Sequence, residues 1–386
     1  MTLRHHLVGL LALLCALPAL AADDASPTWQ KTLHSARGEQ VYLHAWGGSE
    51  EVNRYLAWAA QTIKQRYDVT LVPVKVADIA PSVAALQAQK IVGKNSGGSI
   101  DLLWVNGANF KSLKEHHLLG APFTAELPNM ALVDNTLPLD KDFTVPVDGL
   151  EAPWGMAQFN LMVDKARVAA LPTSASALLA WAKAHPGRFT YPKPPQFHGS
   201  SFLKQMLLDL SNDTAPLYRP ADAATFKRVS APLWHWLDAL HPALWRSGKL
   251  FPTGAAETRQ LLDDGELDMA VSFNPQEAAY AVKSGELPAT VEAMVMQKGA
   301  LTNAHFLAIP FNATSRAGAL VVINFLLSPE AQARKADPAM WGDPSVLKPE
   351  YLPKGTLPAL RFTARAELHP SWQTLLEREW ARRYGQ

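Results

Sequence analysis

The chain has 386 residues, with 36 Lys+Arg against 35 Asp+Glu, 48% apolar residues and 18% charged ones. A net charge near zero supplies no global field for gathering nucleic acid or anionic lipid, and this apolar share excludes a chain disordered throughout. The length implies two or three core-bearing units rather than one.

Residues 1–21 carry the pattern of a secretory signal peptide. Arg4, His5 and His6 precede an apolar run at 7–17, then Pro18 and the cleavage pattern Ala19-Leu20-Ala21. With Arg4 removed, the remaining chain balances at zero charge. The single cysteine, Cys15, lies inside this leader, and Leu14 before it is not the small residue that lipid attachment needs. The rest of the chain therefore has no thiol for disulfides, metal sites or nucleophilic catalysis. Export without disulfides fits a periplasmic protein stabilised by its core alone.

A polar stretch at 23–38 is followed by a β-rich run at 41–46 that stops at Gly47-Gly48. Ser49 is a natural N-cap with Glu50 and Glu51 in the first turn. Val52, Tyr55, Leu56, Ala59, Ala60 and Ile63 recur at helical spacing, so 49–66 is an amphipathic helix. A strand at 69–76, a helix at 82–92 and a strand at 100–105 complete two parallel βαβ units, hence an open α/β sheet covered on both faces. The proline-rich region 120–150 breaks the rhythm. A strand at 157–163, a helix at 176–184 and a strand at 188–191 follow. Helices then run from Gly199 to 210, over 223–240 and over 257–263, with a strand at 267–273. Strands at 291–297 and 304–309, an apolar helix at 317–327 and a helix from 330 to 336 close the pattern.

Enzyme motifs are absent: no G-x-S-x-G, G-x-G-x-x-G, P-loop or H-E-x-x-H occurs. His116 and His117 point about 100° apart on a helix and cannot share a metal. Asp263, Asp264, Glu266 and Asp268 read as a solvated acidic turn, so no metal and no cofactor is expected. What recurs is a loop pattern, with strands ending in Gly, Asn, Ser or Trp before a helix start: Trp46-Gly47-Gly48-Ser49, Trp104-Val105-Asn106-Gly107 and Ser272-Phe273-Asn274-Pro275, with Gly199-Ser200-Ser201 opening a helix in the same way. In open α/β sheets these positions line the ligand crevice, where helix starts offer free N–H donors and tryptophan a flat wall.

The order of Val41-Tyr42-Leu43-His44-Ala45-Trp46-Gly47-Gly48, Ala152-Pro153-Trp154-Gly155-Met156-Ala157 and Asn303-Ala304-His305-Phe306-Leu307-Ala308-Ile309-Pro310 is distinctive. It leads into Val322-Ile323-Asn324-Phe325-Leu326-Leu327-Ser328-Pro329-Glu330-Ala331-Gln332. This sequence resembles the extracytoplasmic solute-binding proteins of ABC importers, in the branch of polyamine, iron, thiamine and sulfate binders. The resemblance implies a type II periplasmic-binding-protein fold: two α/β lobes, each an open mostly parallel sheet flanked by helices, joined by two or three crossovers and closing on a solute. It also implies a monomer that docks on ABC permease subunits in the inner membrane.

On this basis 39–155 and 291–316 are expected in lobe one, and 156–290 and 317–386 in lobe two. The expected cleft residues are Trp46, Gly47, Gly48, Ser49, Asn106, Trp154, Gly199, Ser200, Ser201, Asn274 and Asn303. The expected solute is an organic cation or a heterocycle stacked on an indole, with a tetrahedral oxyanion on the helix starts at Ser49 and Gly199-Ser200-Ser201 as the alternative. The resemblance implies adjacent tyrosines for a ferric binder, and no two of the eight tyrosines here are adjacent, so ferric iron is disfavoured. The competing function is a carboxylate-based hydrolase or transferase on the same fold, with Glu257 or Asp148 as acid or base.

Overall fold

The computed structural model describes residues 26–356 and 360–385. The leader at 1–21 lies outside the described residues. In chain order the elements are α1 (Pro27–Ala36), β1 (Gln40–Trp46), α2 (Glu50–Tyr67), β2 (Thr70–Val76), α3 (Ala80–Ile91), β3 (Leu102–Val105) and α4 (Ala108–Glu115). A loop-rich stretch holds the short hairpin β4 (Lys141–Asp142) and β5 (Val145–Pro146). Then come β6 (Glu151–Gln158), β7 (Asn160–Asp164), α5 (Ala175–Ala184), α6 (Phe197–Leu210), α7 (Ala223–Leu240), α8 (Ala255–Asp263), β8 (Met269–Ser272) and α9 (Glu277–Ser284). The chain ends with β9 (Val291–Met294), β10 (Ala300–Ala308), α10 (Arg316–Leu326), α11 (Pro329–Ala336), β11 (Ala364–Ala366) and α12 (Pro370–Tyr384).

Local chemistry accounts for many of these boundaries. The Ser49 hydroxyl accepts from Val52 N at 3.3 Å and starts α2, and Asp68 ends it in the left-handed region at φ 55°. Proline occupies the first turn of α1, α3, α11 and α12, where its missing N–H costs nothing. β1 alternates buried and exposed residues, as a strand with one face on a core should.

Two sheets organise the chain. The first has the order β11-β10-β3-β1-β2, with β6 also on β10. β1 pairs in parallel with β2 and β3, whereas β10 runs antiparallel to β3 and β6. The second sheet, β8-β7-β9, is antiparallel. Each is covered on both faces. Val41 and Leu43 of β1 pack with α2 and α10 on one side of the first sheet, while Leu103 and Val105 of β3 pack with α3 and α4 on the other. In β7, Leu161 and Val163 face α5, α6, α7 and α12, and Met162 faces α8 and α9.

The chain passes between the sheets at 158–160, 295–300 and 360–367. Gln158 joins these crossings: its Nε2 donates to Thr302 Oγ1 and Phe362 O, both at 3.0 Å, and its Oε1 accepts from Arg361 N and Phe362 N.

The packing differs from the sequence reading in four places. The polar stretch 23–38 contains α1, capped by Ser26. Residues 188–191 form no strand beyond a bridge from Phe189 to Met269, since the prolines that follow cannot extend a ladder. Residues 317–352 pack on the first sheet, and only the segment from Leu368 through α12 joins the second core. β9 belongs to the second sheet, so residues 291–294 lie outside the first. α10 is buried nearly all round, so its periodicity does not indicate which sheet it faces.

Candidate functional site

The strand ends and helix starts of both sheets converge on a cavity of about 310 Å³. From the first sheet come the loop after β1, the turn after β2 with Asp78 and Ile79, and Trp104 with Asn106 at the end of β3. From the second come the start of α6, the start of α8 with Arg259, and the loop from Phe273 into α9 with Glu277 and Tyr280. β10 contributes Asn303 and His305, and the turn after α11 contributes Trp341 and Asp343. Gly342 between them sits at φ +75°, and a Cβ there would lie 3.1 Å from Gln276 Cβ, so glycine permits both the turn and the approach to the second lobe.

The floor is aromatic. Trp104 and Trp341 have ring centroids 5.6 Å apart, and His305 lies nearly parallel to Trp341 at 6.0 Å. Behind them Trp154 meets Trp104 edge-on at 5.1 Å and Trp341 at 5.4 Å. His305 Nε2 lies 3.0 Å from Asp343 Oδ2, which also takes the ammonium of Lys335. Lys335 has no exposed side-chain surface, and burial pushes its pKa down against the pull of Asp343.

The rim joins the two lobes. Arg54 Nη2 of α2 donates to Tyr280 Oη of α9 at 3.0 Å. Burial pushes the Glu277 carboxyl up, opposed by the Ser272 hydroxyl and by Arg259, whose Nη1 is 3.7 Å away. Burial also acts to raise Glu51, but hydrogen bonds from Ser49, its own backbone N–H and Tyr280 outweigh it and leave the carboxyl below its ordinary value. His198 is pushed down to about 4 by burial, so it is neutral at physiological pH.

Of the residues expected from sequence, Trp46, Gly48, Ser49, Asn106, Asn274 and Asn303 line the cavity. Gly47 lies beside it: a Cβ there would press on Lys75, so this glycine serves the contact with β2. Trp154, with no exposed surface, supports the floor from below and does not reach the wall. Gly199, Ser200 and Ser201 lie inside α6, which starts earlier, capped by the Gln196 side chain. Gly199 allows α6 to approach Pro192 O, and Ser200 Oγ donates to Glu377 Oε1 of α12 at 2.6 Å.

Trp104, in the loop pattern of the sequence, lines the wall, whereas that pattern did not point to Arg259, Glu277, Tyr280, His305, Trp341 or Asp343 as wall residues. One signal was present: Trp341-Gly342 repeats the Trp-Gly pair of Trp46-Gly47 and Trp154-Gly155.

The residues named for a carboxylate-based enzyme do not serve one. Glu257 accepts from Thr253 N and Oγ1, both at 2.8 Å, at the start of α8, and Asp148 pairs with Lys114 at 2.6 Å. Neither lines the cavity. Asp268 is not solvated as the acidic turn suggested; it is buried and paired with Arg188. Among the described residues, no group of three or more His, Cys, Asp or Glu side chains is placed to hold a metal ion.

Residues 58–354 match the family described as bacterial extracellular solute-binding protein. The chain belongs to that family. Protein YnjB of Escherichia coli strain K12 is 46% identical over 392 residues, covering 99% of this chain and all of the relative. Among solved structures, a periplasmic thiamin binding protein superposes with a TM-score of 0.63 at 15% identity, over 89% of this chain and 95% of that one. AfuA from Actinobacillus pleuropneumoniae, with fructose-6-phosphate bound, gives 0.61 at 13% identity, over 90% and 99%. At these identities the two structures establish the fold alone, the α/β periplasmic-binding-protein fold with mixed sheets. The protein is thus an extracellular solute-binding protein, of a family of non-enzymatic binding proteins.

Proposed function

We propose that this protein, exported through a leader at 1–21 that is cleaved, captures an organic cation or a nitrogen heterocycle of metabolite size in the periplasm. It closes its lobes on that solute as a monomer and delivers it to inner-membrane permease subunits. The observation that carries this reading is the wall of the cavity. Three indoles (Trp46, Trp104 and Trp341) face it, together with the four carboxylates of Glu51, Asp78, Glu277 and Asp343 against the single guanidinium of Arg259. Flat apolar faces beside an excess of acceptors suit a ring or a cation and disfavour a phosphate. Hinge closure is supported by the wall being drawn from both lobes: a solute that touches both favours the closed state by its differential affinity.

The test is thermal shift followed by calorimetry on the mature chain. Thiamin, choline and adenine represent the proposed class, and fructose 6-phosphate is the anionic counter-example. A cation or heterocycle should raise the melting temperature and reduce the radius of gyration in solution scattering. Stabilisation by the sugar phosphate alone overturns the ligand class, and binding without compaction overturns hinge closure.

A further inference from the structure

Asp343 reaches the cavity wall with its two carboxylate oxygens in different surroundings. Oδ2 takes the Lys335 ammonium and lies 3.0 Å from His305 Nε2. Lys335 is further fixed by Asp343 O at 3.2 Å and Pro344 O at 2.8 Å, so the carboxylate is clamped from behind. Oδ1 has no hydrogen-bond partner among the described residues, yet it is not one of the sealed, unpartnered atoms. It is thus the oxygen of Asp343 left free to accept from a solute, in a wall that also holds the indoles of Trp104 and Trp341.

A carboxylate oxygen only accepts hydrogen bonds. Lys335 cancels the charge of Asp343 locally, so what the pair offers a solute is mainly a directional acceptor rather than a net field. Building on the solute-capture reading above, we propose that Asp343 Oδ1 anchors the ligand and selects for an N–H donor beside a flat ring. An amidinium or an amino-heterocycle meets that requirement. A carboxylate, or a phosphate in its dianionic form, brought to the same point has no hydrogen to give and leaves two acceptors facing each other. An N–H donor there makes a charge-assisted bond.

Benzamidine, benzamide and benzoate test this, because they share a ring and differ only in the group presented. The mature protein is titrated with each, following the indole N–H signals by NMR, with Trp104→Phe and Trp341→Phe assigning the two floor indoles. Benzamidine and benzamide should move those signals, with benzoate at least about tenfold weaker, the discrimination expected from one hydrogen bond to a charged group. Asp343→Asn leaves Lys335 without its partner in the interior, so the apolar pair Asp343→Leu/Lys335→Met is measured beside it. That pair should lose about tenfold to a hundredfold in benzamidine affinity, together with the preference over benzoate. Benzoate binding as tightly as benzamidine to the wild type overturns the proposal. So does undiminished benzamidine binding in whichever variant keeps the wild-type melting temperature; in that case the cavity remains a solute site with a different anchor. If none of the three probes moves Trp46, Trp104 or Trp341, both the anchor and the cavity reading fail.

Discussion

Trp46 and Trp154 both stand in Trp-Gly pairs, and the structure assigns them opposite tasks. Trp154 has no exposed surface and lies between Trp104, Trp341, His305 and Tyr55 at ring distances of 5.1, 5.4, 5.6 and 6.3 Å. Truncating a buried tryptophan to alanine costs about 3–5 kcal/mol in transfer and cavity terms. Its Nε1 is buried without a partner, so removal also relieves a penalty of about 1 kcal/mol or more. Trp154→Ala should therefore lose about 2–4 kcal/mol, which at roughly 2 °C per kcal/mol lowers the melting temperature by about 4–8 °C. Trp46 is 37% exposed on the cavity wall. Trp46→Ala should cost under about 1.5 kcal/mol in stability but remove a stacking or cation–π contact of roughly 0.5–2 kcal/mol, a two- to thirtyfold loss of affinity. Denaturation of the ligand-free variants gives the first quantity, and calorimetry with the solute found by thermal shift gives the second. A Trp154→Ala protein that melts like the wild type but binds poorly would refute the placement of Trp154 beneath the floor. Unchanged affinity in a folded Trp46→Ala would refute ligand contact at Trp46.

Two further outcomes follow from buried charges outside the cavity. Burial, with the nearby Glu367, pushes the Asp142 carboxyl up to about 8, against a hydrogen bond from Gly107 N and the charge of Lys204. The folded state then holds a proton that the unfolded chain releases near pH 4. This group's contribution to stability is full below that pH, falls as pH rises to about 8, and is flat beyond. Asp142→Asn should therefore gain on the wild type progressively between pH 5 and 8, as read from paired melting curves; a constant difference would contradict the shift. Lys204 of α6 pairs with Glu367 on the third crossing, at 2.9 Å and with at most 3% of either side chain exposed. Lys204→Met alone should cost about 3–5 kcal/mol by stranding the carboxylate, and adding Glu367→Gln should recover most of it in a denaturation cycle.

The sequence alone determined what short-range chemistry controls. The Ser49 cap, the apolar spacing from Val52 to Ile63 and the β-rich run at 41–46 ending at Gly47-Gly48 placed α2 and its flanking strands within a residue or two, because each signal lies within one element. The order of motifs through the L-L-S-P-E-A-Q run pointed to the family that the comparison later established. Tertiary structure decided the rest. α10 presents apolar residues in every direction, and only the fit of its surface to α1, α2 and the first sheet fixes its place. Trp46 and Trp154 look alike as Trp-Gly pairs, yet one lines a cavity and the other is sealed beneath it, since burial depends on what other segments bring to the same point. Asp343, His305 and Lys335 belong to three different segments, the turn after α11, β10 and α11 itself, and the wall that Asp343 and His305 complete also needs residues from α2 and α9 more than 200 positions apart. Caps and periodicity act over a few residues, whereas a binding site is a meeting of distant loops, and that meeting is settled only when the two sheets pack.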